Sequence, residues 1–215
     1  MKTFFLFVLV AVCSVTAYPQ KPTPEPAPQP FLMAVEDSFY ISGRGVVATG
    51  KIERGIIKTG DTVEILGGKV SKTTTVAGIE MFRKMLTEAK AGDEVGILLR
   101  GVERADVERG QILAIPGTVK THTRIKATID MLDTKEGGRS TPINDKYRGL
   151  FYLRTGGFSG IVTFPAGVAS IAPGNKGAPV EILFEKAVPI EKGQIFGIRE
   201  GGRTVGSGKV AALIQ

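Results

Sequence analysis

Residues 41–68 read ISGRGVVATGKIERGIIKTGDTVEILGG. Short runs of Val, Ile and Thr alternate here with glycines, and the same punctuation continues along the chain. The glycine-centred turns lie at Gly43, Gly50, Gly55, Gly60, Gly67-Gly68, Gly92, Gly101, Gly110 and Gly117. Turn signals about every ten residues are typical of a β-sandwich or β-barrel. Residues 124–131 (RIKATIDM) add the alternation expected of a half-buried strand. The pattern predicts an all-β fold.

One segment has a different periodicity. Residues 81–90 read MFRKMLTEAK, in which Met81, Phe82, Met85, Leu86 and Ala89 recur at helical spacing. Periodicity alone therefore predicts an amphipathic helix over residues 81–90.

Internal similarity indicates where the chain divides. Residues 107–115 (VERGQILAI) resemble residues 190–198 (IEKGQIFGI). This match favours two barrels of similar size joined near Pro116-Gly117. The alternative is that the same turn chemistry is used twice, because such turns commonly open a hairpin.

Composition excludes several classes of site. The chain has 215 residues, a formal charge of +7, one cysteine and one histidine. A single cysteine excludes an internal disulfide and a cysteine-based structural zinc site. A histidine base could only be His122, which has threonine on both sides and no adjacent carboxylate. We expect His122 to occupy a solvated strand position, and we predict no catalytic residue and no metal site.

The N-terminal region has the build of a secretory leader. Residues 1–17 combine Lys2, an apolar run over residues 4–12, and Val15-Thr-Ala17 as a cleavage site. The run is too short for a transmembrane span, so we expect a secreted protein. The alternative is the start of a buried strand or helix. Residues 18–30 (YPQKPTPEPAPQP) are predicted to be a proline-rich linker.

The sequence resembles a nucleotide-binding motif at one place, but the match is incomplete. Residues 201–209 (GGRTVGSGK) resemble a P-loop, but Arg203 stands where the motif needs glycine. Val210 replaces the Ser or Thr that would hold magnesium. We predict neither GTP binding nor GTP hydrolysis.

Longer motifs in both halves resemble translation elongation factor Tu. Those similar to its second domain are residues 36–39 (EDSF), 41–55 (ISGRGVVATGKIERG), 78–84 (GIEMFRK), 98–101 (LLRG) and 108–111 (ERGQ); those similar to its third are residues 136–139 (EGGR), 151–155 (FYLRT) and 198–206 (IREGGRTVG). The resemblance implies two consecutive Greek-key β-barrels, residues 31–117 and 118–215. It also implies a strand through Met81-Phe82 and a tight turn, instead of a helix. The family's GTP-binding domain does not precede these barrels here, so no cofactor is expected.

The resemblance also implies tRNA-binding residues. It places the aminoacyl-tRNA acceptor end at Glu36, Asp37, Phe39, Thr49, Glu80 and Arg109, with Glu80 at the terminal ribose hydroxyl and Arg109 near the 5′ phosphate. It places the T-stem backbone at Arg139, Ser159, Glu200, Gly201 and Arg203.

Some residues depart from the family's pattern on those surfaces. Glu94 stands in place of an asparagine near the amino-acid pocket, Leu150 in place of a glutamine facing the T-stem, and Ser140 in place of a histidine. For Arg44, Arg100 and Arg154, surface or inter-barrel ion pairing and ligand contact are both open.

Three functional hypotheses follow. The first is a barrel pair that binds tRNA or other RNA weakly, without enzymatic activity. The second is a secreted adhesion or host-interaction protein that uses the barrels as a scaffold for acidic extracellular partners. The third is that gene fusion or faulty gene assembly has joined a secretory leader to an elongation-factor fragment that has no elongation activity. The oligomeric state does not follow from the sequence.

Overall fold

The computed structural model describes residues 29–68 and 71–214. Its first half contains ten strands and one short 3₁₀ turn, Arg104–Asp106. The strands are β1 (Leu32–Ala34), β2 (Asp37–Ile41), β3 (Gly45–Arg54), β4 (Ile56–Lys58), β5 (Thr62–Leu66), β6 (Lys72–Met81), β7 (Lys84–Leu86), β8 (Glu88–Lys90), β9 (Glu94–Leu99) and β10 (Ile112–Ala114).

These strands form the first barrel. Six of them are hydrogen-bonded in the order β1-β10-β5-β6-β9-β3, and pairing of β1 with β3 closes the ring. Strand β2 extends the sheet beyond β3, β7 pairs with β6, and β4 pairs with β8. Strands β5, β6 and β9 are consecutive neighbours and β3 lies beside β9, which is the Greek-key arrangement.

The second half contains eight described strands. They are β11 (Thr121–Met131), β12 (Ile143–Asn144), β13 (Tyr147–Leu153), β14 (Gly156–Thr163), β15 (Ser170–Ile171), β16 (Ala178–Pro189), β17 (Ile195–Glu200) and β18 (Arg203–Leu213). A closed barrel has the order β11-β16-β14-β13-β17-β18, again with a Greek key, and β12 pairs with β15. The predicted all-β fold of two barrels is confirmed.

Each barrel has its own core. In the first, the inward positions of the strands are fully buried, as at Ile52, Ile79 and Ile97. In the second, Phe151 lies at the centre, with ring centroids 5.7 Å from Phe184 and 5.8 Å from Phe196 in edge-to-face geometry. Such pairs add stabilisation beyond the area that they bury. Each half therefore folds around its own cluster of buried apolar side chains.

Strand β11 contains the predicted alternation. Ile125, Ala127 and Ile129 are buried, and the residues between them are more exposed. His122 lies on a strand, as expected, but it is half-buried and not fully solvated, and its Nδ1 atom is buried without a hydrogen-bond partner.

Residues 81–90 form extended structure, so the helix predicted from periodicity is wrong. Strand β6 ends at Met81, and Phe82 and Arg83 form a two-residue turn into β7, with Met81 opposite Lys84. Both turn residues have positive φ, 50° and 63°, which defines the type I′ geometry that matches the twist of a hairpin. The tight turn implied by the resemblance is present, but Phe82 belongs to the turn and not to the strand.

A network of four charged side chains joins the two barrels. Arg154 donates from Nε to both oxygens of Glu53 at 2.9 and 3.0 Å, and from Nη2 to Glu191 at 2.9 Å. Arg54 donates to both oxygens of Glu191 at 2.9 Å. We call Glu53, Arg54, Arg154 and Glu191 the junction network. Arg154 is therefore an inter-barrel residue.

The junction network shifts the protonation equilibria of its members. Burial alone would raise the pKa of Glu191, but the hydrogen bond and charge of Arg54, together with Arg154, lower it below its ordinary value. The hydrogen bond to Glu191 raises the pKa of Arg54 against the effect of burial. Both shifts favour the charged forms that the network needs.

Backbone contacts complete the junction. The Thr155 hydroxyl donates to the Val35 carbonyl at 2.6 Å. A Cβ built on Gly110 would lie 2.8 Å from the Gly156 Cα, so glycine permits a close approach of the two barrels. Side-chain and backbone contacts together fix how the barrels are joined.

Within the described residues, no helix is long and apolar enough to cross a membrane. The predicted signal peptide, residues 1–17, and all but the last two residues of the predicted linker lie outside the described residues.

Candidate nucleic-acid interface

One row of residues crosses the outer face of the first barrel. Cross-strand register places Asp37 opposite Thr49, Thr49 opposite Gly96, Gly96 opposite Glu80, and Glu80 opposite Met85. The row spans β2, β3, β9, β6 and β7, so three of the residues predicted for the acceptor end share one face because of strand register. Gly96 has no side chain and leaves a depression in the middle of the row.

A pocket of about 180 Å³ lies on this face, and we call it the acceptor pocket. Its lining includes Phe39, Thr49 and Glu80 among the predicted residues. Gly78 leaves room on this face, because a Cβ there would lie 2.8 Å from the Cε of Met85 and would displace the end of that side chain. The pocket therefore depends on strand register, which aligns its walls, and on glycine, which leaves room between them.

An ion pair forms the polar edge of the acceptor pocket. Both terminal nitrogens of Arg44 donate to Glu80 Oε2 at 3.2 Å, and Nη2 also lies 3.5 Å from the sulfur of Met85. Both charged side chains are substantially exposed, 42% and 36%. Glu80 thus keeps accessible oxygen lone pairs while Arg44 holds its orientation.

The depression continues toward the second barrel. A second pocket of about 250 Å³ shares Thr49, Glu80 and Gly96 with the first and adds Glu36 and Glu94. Glu36 also lines a groove of about 410 Å³ at the junction, together with Arg154 and Thr155 of the second barrel. Shared lining residues therefore make the three depressions neighbours between the acceptor pocket and the junction.

The other two predicted acceptor-end residues line none of these three depressions. Asp37 accepts a hydrogen bond from Thr49 through its carbonyl oxygen at 3.2 Å, but it lines none of the three depressions. Arg109 is exposed, and its Nε donates to the Thr155 carbonyl at 3.0 Å. Arg109 therefore sits at the junction and bridges the barrels.

The second barrel brings four of its five predicted residues together. Arg139 pairs with Glu200, donates to the hydroxyl of Thr141 at 3.1 Å, and lies 5.6 Å above the ring of Tyr147. The hydrogen bond that Arg139 donates to Glu200 raises the pKa of Arg139, and burial raises the pKa of the Tyr147 phenol. The Arg139 side chain is only 19% exposed, and these contacts hold it against Glu200, Thr141 and Tyr147.

Glu200 begins a two-residue turn. Gly201 and Gly202 both have positive φ, 54° and 83°, and Glu200 and Arg203 are opposite each other in the register of β17 and β18. Arg203 is exposed. The turn therefore presents a carboxylate, exposed backbone and a cation within a few residues of one another.

The fifth residue, Ser159, lies on a row that leads to the same turn. Ser159 is opposite Leu150, and Leu150 is opposite Arg199. Leu150, Arg199 and Gly202 line a depression of about 190 Å³ with Tyr152. We use the name second-barrel surface for Ser159, Leu150, Tyr152, Arg199 and Gly202 together with Arg139, Glu200, Gly201 and Arg203.

Several residues of both surfaces do not follow from sequence motifs as functional groups. Arg199 lies 4.9 Å above the Tyr152 ring, and Phe82 lines both pockets of the first barrel. Both residues lie within motifs that resemble the family, residues 78–84 and 198–206, but the motifs do not show what these side chains contact, since their neighbours come from other strands. Among the described residues, no cluster of three or more His, Cys, Asp or Glu could hold a metal ion.

Comparison with protein families agrees with the division of the chain into two barrels. Residues 45–114 match the family model described as elongation factor Tu domain 2, and residues 118–214 match that of the elongation factor Tu C-terminal domain. The two matches follow one another in the chain and together span most of it.

Proposed function

Because its two barrels belong to the elongation factor Tu domain 2 and C-terminal domain families, we propose that this chain binds RNA weakly through both. The acceptor pocket takes the unpaired 3′ end of a tRNA-like RNA, and the second-barrel surface contacts the phosphate backbone of the adjoining duplex. The observation that carries this proposal is the register row that brings Thr49, Glu80 and the wall of the acceptor pocket to one face.

The chemistry of the acceptor pocket suits the end of an RNA strand. The Glu80 carboxylate can accept a hydrogen bond from a 2′-hydroxyl, the group that distinguishes RNA from DNA. Arg44 holds that carboxylate from one side, and Phe39, 42% exposed, supplies an apolar wall. A ribose and a base therefore meet different parts of the same small pocket.

The second-barrel surface suits phosphate contact. Arg203 is exposed at the Gly201-Gly202 turn, and the chain as a whole carries a charge of +7. Phosphate contacts position a protein on nucleic acid without reading sequence, and they weaken steeply with salt. Leu150 provides no polar contact on this surface, which keeps the predicted affinity low.

The acceptor pocket is open on the side away from the barrel. Nothing in the described residues covers an aminoacyl group placed there, and Glu94 adds negative charge to the adjoining depression. We therefore expect aminoacylated and deacylated tRNA to bind almost alike. GTP hydrolysis is not part of the proposed function.

Filter binding of labelled tRNA at low and high salt tests the proposal. We expect binding at low salt, a loss of up to about 0.9 in log affinity per unit of log salt for each phosphate contacted, and weaker binding of DNA of equal length. Arg203→Gln should weaken binding of every RNA. Arg124→Gln is the matched control, because Arg124 is exposed on β11, outside the second-barrel surface.

Absence of tRNA binding at low salt would refute the proposal and favour the scaffold or gene-fusion hypotheses. An equal effect of Arg203→Gln and Arg124→Gln would show that only overall charge matters. A strong preference for aminoacylated tRNA at high salt would show instead that the barrels alone recognise the aminoacyl group.

A further inference from the structure

Phe82 combines exposure with an unfavourable backbone conformation. It occupies the first position of the β6–β7 turn at φ 50°, and its side chain is 87% exposed. Type I′ turns favour Asn or Gly because a side chain with positive φ crowds the backbone. An aromatic residue gains nothing from burial here and is strained, so its presence at this position calls for a functional reason.

The turn places Phe82 at the mouth of the binding site. Phe82 lines both the acceptor pocket and the acidic depression beside it. Phe39 lines the acceptor pocket as well, and Arg83 follows Phe82 in the turn. Two partly exposed aromatic side chains and two arginines, Arg44 and Arg83, therefore surround one small cavity.

We propose that Phe82 stacks on the last unpaired base of the bound RNA and positions it over the acceptor pocket. This inference rests on the proposed function and assigns a role to a residue outside the predicted acceptor-end set. Exposed aromatic side chains bind unstacked bases through their faces with little dependence on sequence. The strained turn is what holds the ring at the pocket mouth, away from the barrel core.

The dimensions and charges of the site favour a base over other occupants. A volume of about 180 Å³ is below the range of pockets for drug-sized ligands, so it accommodates a single ring system. The arginines at its edge favour the phosphates that accompany a nucleotide, and Glu80 offers an acceptor to its ribose. An apolar peptide side chain would use the apolar walls but would make no contact with the exposed arginines or with the free lone pairs of Glu80.

The test uses an RNA hairpin with a short unpaired 3′ end whose last base is 2-aminopurine, a fluorescent adenine analogue that is quenched by stacking. Binding to the full chain should quench it. Phe82→Asn should abolish the quenching and reduce affinity roughly 5- to 150-fold, the effect of losing one base–aromatic stack. Phe82→Tyr should retain both the quenching and the affinity, because its ring can also stack. A blunt-ended hairpin with no unpaired 3′ base should bind the original protein and Phe82→Asn equally.

Thermal unfolding separates this role from a structural one. Asn tolerates positive φ better than Phe, so Phe82→Asn should unfold at an equal or higher temperature while binding is weaker. Tyr40→Asn is the matched control, since Tyr40 is 64% exposed on the same barrel but lines neither pocket. It should leave quenching and affinity unchanged.

The outcomes distinguish the two proposals. Failure of the original protein to bind either hairpin would refute the proposed function, and the role of Phe82 with it. Binding that Phe82→Asn leaves unchanged, with quenching retained, would overturn the role of Phe82 alone. A loss of affinity accompanied by a lower unfolding temperature, or reproduced by Tyr40→Asn, would also overturn it.

Discussion

Replacing Arg154 with glutamine should remove the largest polar contribution to the junction. The Arg154 side chain is 9% exposed and, besides Glu53 and Glu191, it donates to the Pro189 carbonyl and to Gln194 Oε1, both at 3.0 Å. Glutamine is too short to reach all of these acceptors and carries no charge. The substitution therefore leaves carboxylates without a cation and acceptors without a donor.

The size of the loss depends on what remains around each carboxylate. Breaking a buried ion pair by removing one partner typically costs 3–5 kcal/mol, since the other charge stays buried. Here Glu53 is 37% exposed and becomes hydrated, and Glu191 retains its two bonds from Arg54. Both effects favour the lower end of that range, so we expect the free energy of unfolding to fall by about 3 kcal/mol.

Urea unfolding followed by far-ultraviolet circular dichroism measures this loss. Arg148→Gln is the matched control, because Arg148 is 66% exposed and its partner Glu185 is 50% exposed. Exposed pairs contribute about 1 kcal/mol or less. If Arg154→Gln costs no more than the control, the junction network does not stabilise the joined barrels and the reasoning is wrong.

Three further predictions concern the junction and the leader. The pKa of Glu191 is lowered in the folded state, so its ionised form stabilises the protein at pH values above the ordinary pKa of 4.5. This contribution is lost as the pH falls below 4.5 and Glu191 becomes protonated. The difference in free energy of unfolding between the original protein and Glu191→Gln, measured by urea unfolding, should therefore shrink between about pH 6 and about pH 3. Gly110→Ala should destabilise the protein by about 2 kcal/mol or more in the same assay, because Gly110 has φ 94° and its new Cβ would strike the Gly156 backbone; an unchanged midpoint would contradict this. Cleavage of the predicted signal peptide after Ala17 should leave Tyr18 as the first residue of the secreted protein, and N-terminal sequencing would show an intact leader if the prediction is wrong.

Local sequence rules predict the strands well where side chains serve only a barrel core. Strand β11 alternates buried and exposed positions, and most glycines of residues 41–68 fall in or beside turns, as at Gly43 and Gly60. The turn predicted at Gly50 is wrong, because Gly50 lies inside β3, where a Cβ would come within 2.0 Å of the Ala34 carbonyl oxygen. Periodicity fails at residues 81–90 because their apolar residues do not form one buried face. Phe82 and Met85 are exposed and line a pocket, whereas Ala89 is buried on another strand.

The pairing of charges cannot be derived from local sequence, because partners lie far apart in the chain. Arg44 and Glu80 meet across β3, β9 and β6, and Arg154 meets Glu53 only after both barrels have formed. The resemblance indicated Glu80 as a ligand contact but left the role of Arg44 open. Only the register of the folded sheets shows that Arg44 orients Glu80.

The junction also has a consequence for the proposed binding. Two weak contacts on one RNA reinforce each other only when their separation is fixed, because a rigid link raises the effective concentration at the second site. Here the acceptor pocket lies on one barrel and the second-barrel surface on the other, and Arg154 holds the two together. Neighbouring depressions, which share Glu36, lie between the acceptor pocket and that junction. Barrel stability and RNA affinity are therefore expected to depend on the same few charged side chains, although none of the four junction residues belongs to the predicted RNA contacts.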